Sequence, residues 1–420
     1  MDEGEMIVSQ RDLQRMHVIR LTLEGREKVR RGAELLGLST RQVKRLRNKM
    51  RDGGAQALLH GNRGQRPHNK TAKRVMNKVL RLAKGRYKGL NDTHLTEKLK
   101  EQEGLTVSRA TVRRIVREGG VAAARKHRPK RHYRRRERKA QEGALVLWDG
   151  SPHRWLGPQG PRWTLVVAMD DATGALLHGV FSEQEDAQSY LTCLKHLMGD
   201  RGIPLAIYMD RHGIFKRNDK HWTLQEELAG ERFPTQVGLA LKCLGVQPIF
   251  ALSPQAKGRV ERLFGTLQDR LVSELRLAGI RTRDQATAFV NGPFRTDFNR
   301  RFARSPQQIQ AAWRTVPRRL DVERICSFRY EATVGNDNAV RLAGVILDIP
   351  PGANHTGYAK SRVEVRQLLD GRWRVYLKDK LLLETHKPLL QAPLRTVGRK
   401  HRERYSRGDI FAEQLRGHIA

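Results

Sequence analysis

The sequence predicts a multidomain chain: helix-turn-helix modules at the N-terminus, an α/β core on a mixed sheet, and a small C-terminal domain expected to be β-barrel-like. Three observations carry that reading. A helical pattern with a capped second helix occurs twice before residue 122, and five short apolar runs between Ala144 and Phe250 are spaced as strands. Near the C-terminus, apolar and polar residues alternate across an Asp-Gly pair.

The partner class follows from charge. The chain has 420 residues with 81 Lys+Arg against 44 Asp+Glu, a formal net charge of +37. That excess goes far beyond what solubility requires and calls for a polyanion. With 38% hydrophobic residues the chain has material for real cores, so it is no disordered basic tail. No apolar run approaches the roughly 20 residues that span a bilayer, and Asp2, Glu3 and Glu5 do not suit a signal peptide. Nucleic acid met in the cytoplasm, and no membrane, is the expectation. Cys193, Cys243 and Cys326 are far apart in apolar contexts, which suggests three buried free thiols.

Residues 1–60 form the first expected module. In "LTLEGREKVRRGAELLGLSTRQVKRLRNKM", apolar positions at Val29, Ala33, Leu36, Val43 and Leu46 predict two helices around a tight turn at Gly37, the second capped by Ser39 or Thr40. Its polar side offers Arg41, Gln42, Lys44 and Arg45, residue types that contact base edges and phosphates. A linker rich in Gly, Asn and Pro follows. The second module, 70–122, has one helix started by Asn91 or Asp92. Another is capped by Ser108 and stopped at Gly119, and it carries Arg109, Arg113 and Arg114 as DNA contacts. Residues 123–142, with "RKHRPKRHYRRRERK", read as a basic linker that lies along phosphate without sequence choice.

Residues 143–315 are the expected core. The first three apolar runs are close enough for an antiparallel meander, while the fourth and fifth follow helix-length connections, as parallel strands require. Helices are expected at about Gln184–Leu197 and at roughly Arg283–Ala312. A small β-domain at 325–392 and a basic tail at 393–420 complete the chain.

Three acids stand where chemistry can use them. Asp149 ends the first strand run and Asp210 the fourth. Glu261 lies early in a helix with the apolar stripe Val260, Leu263 or Phe264, Leu267, Leu271 and Leu275. Carboxylates gathered from strand ends and a helix repel one another unless a cation neutralises them, and hard divalent ions such as Mg²⁺ take oxygen ligands of this kind. Lys257, one turn before Glu261, and Arg259 are expected to contact DNA backbone. His212 follows Asp210 closely enough to touch the site. Asp170 and Asp171, in "AMDDATG", read as turn residues.

The stretches "WDGSPHRWLG", "RWTLVVAMDDATGALL", "YMDRHGIFK", "LSPQAKGRVERLFGTLQDRL" and "FNRRFARSP" resemble bacterial insertion-sequence transposases with an integrase-type DDE core, relatives of retroviral integrases. The resemblance covers almost the whole chain. It implies a ribonuclease H-like core with Asp149, Asp210 and Glu261 as catalytic, metal-holding residues for two Mg²⁺ ions, with Mn²⁺ able to substitute. It further implies binding of transposon ends and target DNA, strand cleavage followed by strand transfer, a homo-oligomer assembled on DNA, and a bacterial, nucleoid-associated setting. Glu261 lies 51 positions after Asp210, more than in the simplest integrases, which marks Lys216–Pro234 as an insertion. No His/Cys zinc module precedes the core. The rival reading is a catalytically inactive, sequence-specific DNA-binding regulator with the same charge and modules; a metal-dependent nuclease without joining activity is a third.

Overall fold

In the computed structural model, residues 9–59, 70–123, 136–216, 234–251, 258–387 and 394 are described. The stretch 60–69, most of the basic linker, most of the Lys216–Pro234 insertion, Lys257 and all but Leu394 of the basic tail lie outside them. The chain divides into two compact units, 1–78 and 79–420.

The first unit holds α1 (Gln10–Leu23), α2 (Val29–Leu36) and α3 (Thr40–Gly53). Gly37 ends α2 at φ +61°, a left-handed conformation that costs glycine nothing, and Ser39 caps α3 by accepting the Gln42 N–H at 3.2 Å. Ile19, Ala33, Val43, Leu46 and Met50 form the core. Helix α1 was not legible in the sequence because only Val18, Ile19 and Thr22 of its fourteen residues are buried.

The second unit begins with a helical trio. Helix α4 (Lys73–Lys84) crosses the division between the units, and α5 (Asp92–Glu103) and α6 (Arg109–Glu118) follow it. Asn91 caps α5 and Ser108 caps α6, each accepting a backbone N–H three residues on, and Gly119 ends α6.

The core is a five-stranded sheet of order β3-β2-β1-β4-β5. Strands β1 (Val146–His153), β2 (Trp163–Asp170) and β3 (Leu176–Ser182) form the antiparallel meander; β4 (Ala206–Met209) and β5 (Gln247–Phe250) run parallel to β1. Helices cover both faces, so β2 and β3 are buried at every residue. Val146, Trp148, Ile207 and Met209 pack on α7 (Ala187–Asp200) and α8 (Gln236–Cys243). On the other face, Leu147, Val167 and Tyr208 meet the stripe Val260, Leu263, Phe264, Leu267, Leu271 and Leu275 of α9 (Gly258–Leu277). Helices α10 (Arg283–Phe289) and α11 (Arg295–Phe302) complete that face.

The helix expected from Arg283 to Ala312 is interrupted and shorter. A π turn at Val290–Phe294, containing Pro293, separates α10 from α11, and α11 ends at Phe302. Proline lacks the N–H that an α-turn needs, and Ser305-Pro306 just beyond disfavours a helical restart.

A short α12 (Val322–Ile325) leads into the C-terminal sheet, which is not a barrel. It has four antiparallel strands in the order β11-β10-β9-β6, beside a β7-β8 pair. The strands are β6 (Phe328–Thr333), β7 (Ala339–Leu342), β8 (Val345–Asp348), β9 (Arg362–Gln367), β10 (Trp373–Leu377) and β11 (Lys380–Glu384). Closure would require the two edge strands to meet with a consistent stagger; β11 and β6 stand at opposite edges. The Asp370-Gly371 turn joins β9 to β10 as expected, and a second hairpin adds β11 with Lys378 at φ +59°.

Cys193 and Cys326 are buried, but Cys243, the last residue of α8, is exposed, contrary to expectation. Among the described residues no helix is long and apolar enough to cross a membrane.

Candidate active site

Strands β1 and β4 are parallel neighbours, with Val146 opposite Ile207 and Leu147 opposite Tyr208. Two further steps along that register bring Asp149 level with Asp210. Alternation sets the direction of both: Leu145, Leu147, Ala206 and Tyr208 all belong to the core under α9, so the next residues of that parity are Asp149 and Asp210. Each is half-buried. Just past the end of β4, Asp210 accepts the His212 N–H at 2.9 Å, which stiffens the turn. The His212 ring accepts the Ile214 N–H at 3.4 Å and takes part in the same turn.

Glu261 sits in the first turn of α9, the helix covering that face, and it is exposed. Its neighbours Val260, Leu263 and Phe264 dock the turn on the sheet. Among the described residues, no three His, Cys, Asp or Glu side chains are gathered closely enough to hold a metal ion. The fold therefore brings Asp149, which lies midway along β1 and not at its end as expected because the strand runs on to His153, near Asp210 just past the end of β4, with Glu261 on the helix above, without drawing the three into one ligand set. The donors fit a hard divalent cation in kind, since all are carboxylate oxygens. Mutual repulsion is what a cation would have to overcome.

A fourth acid was missed. Glu185, half-buried just before α7, accepts the Tyr190 hydroxyl at 2.5 Å, and its carboxyl lies so close to Gly150 that a Cβ there would meet it at 2.7 Å. Gly150, next to Asp149 in β1, thus leaves room for an acid on the face that alternation assigns to α7. Burial, then the Glu185 charge, then the charges of Asp149 and Asp210, push the Tyr190 hydroxyl well above its ordinary pKa. The sequence holds only a weak signal for this residue, an acid five positions before a tyrosine at the head of a helical stretch.

Asp170 and Asp171 are structural. Asp170 is buried and accepts the Gly143 N–H at 2.9 Å together with the Thr173 N–H and hydroxyl, each at 2.7 Å. Asp171, equally buried, accepts Arg136 at 2.6 Å and the Lys139 N–H at 2.9 Å, and it also pairs with Arg259. Arg259, expected to contact DNA, turns its guanidinium inward to Asp171 and so ties down the first turn of α9. Lys257 is outside the described residues. Arg41, Lys44 and Arg45 are exposed on α3 with Gln42 half-buried beside them, and Arg109, Arg113 and Arg114 are exposed on α6.

The second helical module is bolted to the back of α9. Glu274 accepts Lys98 at 2.9 Å and meets His94 Nε2 at 2.7 Å, while Glu97 accepts Arg270 at 2.7 Å and pairs with Arg301 of α11 at 3.1 Å. Burial pushes the Glu97 carboxyl up, but Arg270 and Arg301 outweigh it; Glu274, likewise buried, is held down by His94 and Lys98. Both therefore lie below the usual range. A carboxylate with a depressed folded-state pKa stabilises the fold above its unfolded pKa, and that contribution is lost as pH falls through the folded value. Thermal unfolding should accordingly show the 79–420 unit losing stability as pH drops below about 4.5, and Glu97→Gln with Glu274→Gln should flatten that slope. An unchanged slope in the double variant would assign the acid lability elsewhere.

A helix-turn-helix module, followed by a mixed sheet with Asp149 on β1 and Asp210 just past β4, defines a DNA-binding protein of the transposase class. Residues 14–68 match a helix-turn-helix domain family. Over 303 residues the chain is 39% identical to a putative transposase, y4bF, of Sinorhizobium fredii, covering 72% of this chain and 65% of that one. Over 319 residues it is 31% identical to the transposase for insertion sequence IS1202 of Streptococcus pneumoniae, covering 68% and 67%. The chain belongs to the insertion-sequence transposases; it spans about two thirds of the length of these relatives. The HTLV-2 integrase catalytic core domain, solved in complex with magnesium, overlays 37% of this chain and 86% of its own at 16% identity and TM-score 0.26, too loosely to bear on the site.

Proposed function

We propose that the protein binds transposon terminal repeats through its helix-turn-helix modules and catalyses metal-dependent strand cleavage and strand transfer into target DNA. The observation that supports the reading is the parallel β1–β4 register, Val146 opposite Ile207 and Leu147 opposite Tyr208, which if continued by two residues would bring Asp149 level with Asp210 on the face under α9, whose first turn bears Glu261. Strand ends in such sheets form the crevice where ligands bind.

Asp149, Asp210 and Glu261 would hold Mg²⁺, a pair of ions in the full reading. When bound, these would supply charge stabilisation for in-line displacement at phosphorus. The residues of the chain do the rest. Strands β1 and β4 fix the two aspartates on a rigid sheet, the Arg259–Asp171 pair anchors the turn carrying Glu261, and Tyr190 orients Glu185 beside Gly150. The arginines of α3 and α6 hold the DNA backbone, which makes the reaction one of positioning and electrostatics. A homo-oligomer assembled on DNA would hold two ends together.

The test incubates the purified protein with labelled DNA from the ends of its element, target DNA and Mg²⁺. Nicking at the ends followed by joined products is expected. Binding without cutting would favour the inactive regulator, and cutting without joining the nuclease.

A further inference from the structure

An open cleft of about 730 Å³ lies between α6 and α9, with Arg109, Arg113 and Arg114 on one wall and Thr266 and Asp269 on the other. Its two acids, Asp92 and Asp269, each have a partner, and its lining Arg270 is held by Glu97 from outside the cleft. Asp92 accepts Arg117 through both oxygens at 2.9 Å, Asp269 meets Asn91, and Glu97 holds Arg270. Arg109 and Arg113 are exposed and have no hydrogen bond or ion pair among the described residues. Arg114 has a helical pair with Glu118 at 3.2 Å, of the exposed kind that is worth little. With Asp92 paired to Arg117 and Arg270 to Glu97, the cleft keeps Arg109, Arg113 and Arg114 of α6 against the single charge of Asp269, an excess that fits phosphate oxygens.

The cleft is also fixed in place. Through His94, Glu97 and Lys98, helix α5 is tied to Arg270 and Glu274 of α9, the helix that begins at Glu261. Asp269 and Glu274 lie about 12 and 20 Å along that helix from Glu261, at 1.5 Å per residue. A full turn of DNA is about 34 Å. We propose that the α6–α9 cleft seats the backbone of the terminal DNA duplex, so that the base pairs read by α6 lie within one helical turn of the phosphate acted on, at a fixed spacing. The proposal rests on the transposase reading and adds to it a rule of distance, set by one helix that carries both the cleavage residue and the bolts of the reading module.

The experiment uses the full chain and two sets of reagents. End DNAs with five base pairs inserted inside the terminus, about half a turn, are compared with the native end. The expected result is binding within about twofold of native, with cleavage at the original phosphate reduced about a hundredfold, the scale of loss when reacting groups are misplaced. Cleavage there at the native rate would overturn the fixed spacing. Independently of activity, an iron chelate on Thr266→Cys, in a Cys243→Ser background, should cut bound DNA within one turn of the base pairs whose protection Arg109→Ala with Arg113→Ala removes. Cuts farther away, or none, would overturn the seat. If the native end is bound and cut by the chelate but never nicked with Mg²⁺, the transposase reading fails while the seat stands.

Discussion

Replacing Asp149 by Asn, Asp210 by Asn or Glu261 by Gln is expected to lower end cleavage about a thousandfold while leaving end binding within about twofold. Metal ions stabilise several kcal/mol of transition-state charge, and each 1.36 kcal/mol is tenfold in rate, so losing one ligand's share of about 4 kcal/mol gives that figure. Binding should survive because the arginines of α3 and α6 are distant in sequence and in different elements. The three losses should not add, since residues that act as a unit fail together. Any single variant that nicks and joins at the native rate removes its residue from the site. Glu185→Gln offers a contrast: its carboxylate is held by Tyr190 beside the pair, and a milder loss there would mark it as a residue that positions Asp149.

End binding is expected to be steeply salt-dependent. Six exposed cations, Arg41, Lys44, Arg45, Arg109, Arg113 and Arg114, stand on α3 and α6. If each neutralises one phosphate, the slope of log K against log salt is about −5, and affinity falls about a thousandfold between 50 and 200 mM. Replacing Arg109 and Arg113 together by Ala should make the slope shallower by about two. A slope near zero would exclude these helices as the main DNA surface.

What was legible in the sequence was periodicity and punctuation. The capped helices at Ser39, Asn91 and Ser108, the antiparallel meander with two parallel strands after it, and the α9 stripe follow from local rules of spacing and capping, whereas Asp149 reads as the end of a strand that runs on to His153. What was not legible depended on contacts between distant segments. Helix α1 buries too little of itself to show an apolar stripe, and the interruption at Pro293 matters only because α10 and α11 must both follow the sheet. Arg259 reads as one more surface cation until Asp171, 88 residues earlier, is placed beside it. Glu185 becomes visible only when Gly150 shows what occupies the space of its missing side chain. The open C-terminal sheet was misjudged because hairpin signals specify neighbours and carry no information on whether the last strand returns to the first.

The Asp171 arrangement has a consequence for how unevenly this chain tolerates substitution. In a molecule with almost two cations per anion, an acid out of full solvent serves several partners at once: buried Asp171 serves Arg136, Arg259 and the Lys139 N–H, and half-buried Glu364 serves Arg324, Arg329 and Arg366. Removing one arginine leaves such an acid still satisfied, whereas removing the acid leaves cations facing one another with nothing between them. The scarce charge is therefore the irreplaceable one, and melting temperatures of Asp171→Asn set against Arg136→Gln read that inequality directly, equal losses counting against it. Drift in a chain of this kind can exchange arginines that share an acid one at a time, but its few interior carboxylates mark the places where distant parts of the sequence depend on one another.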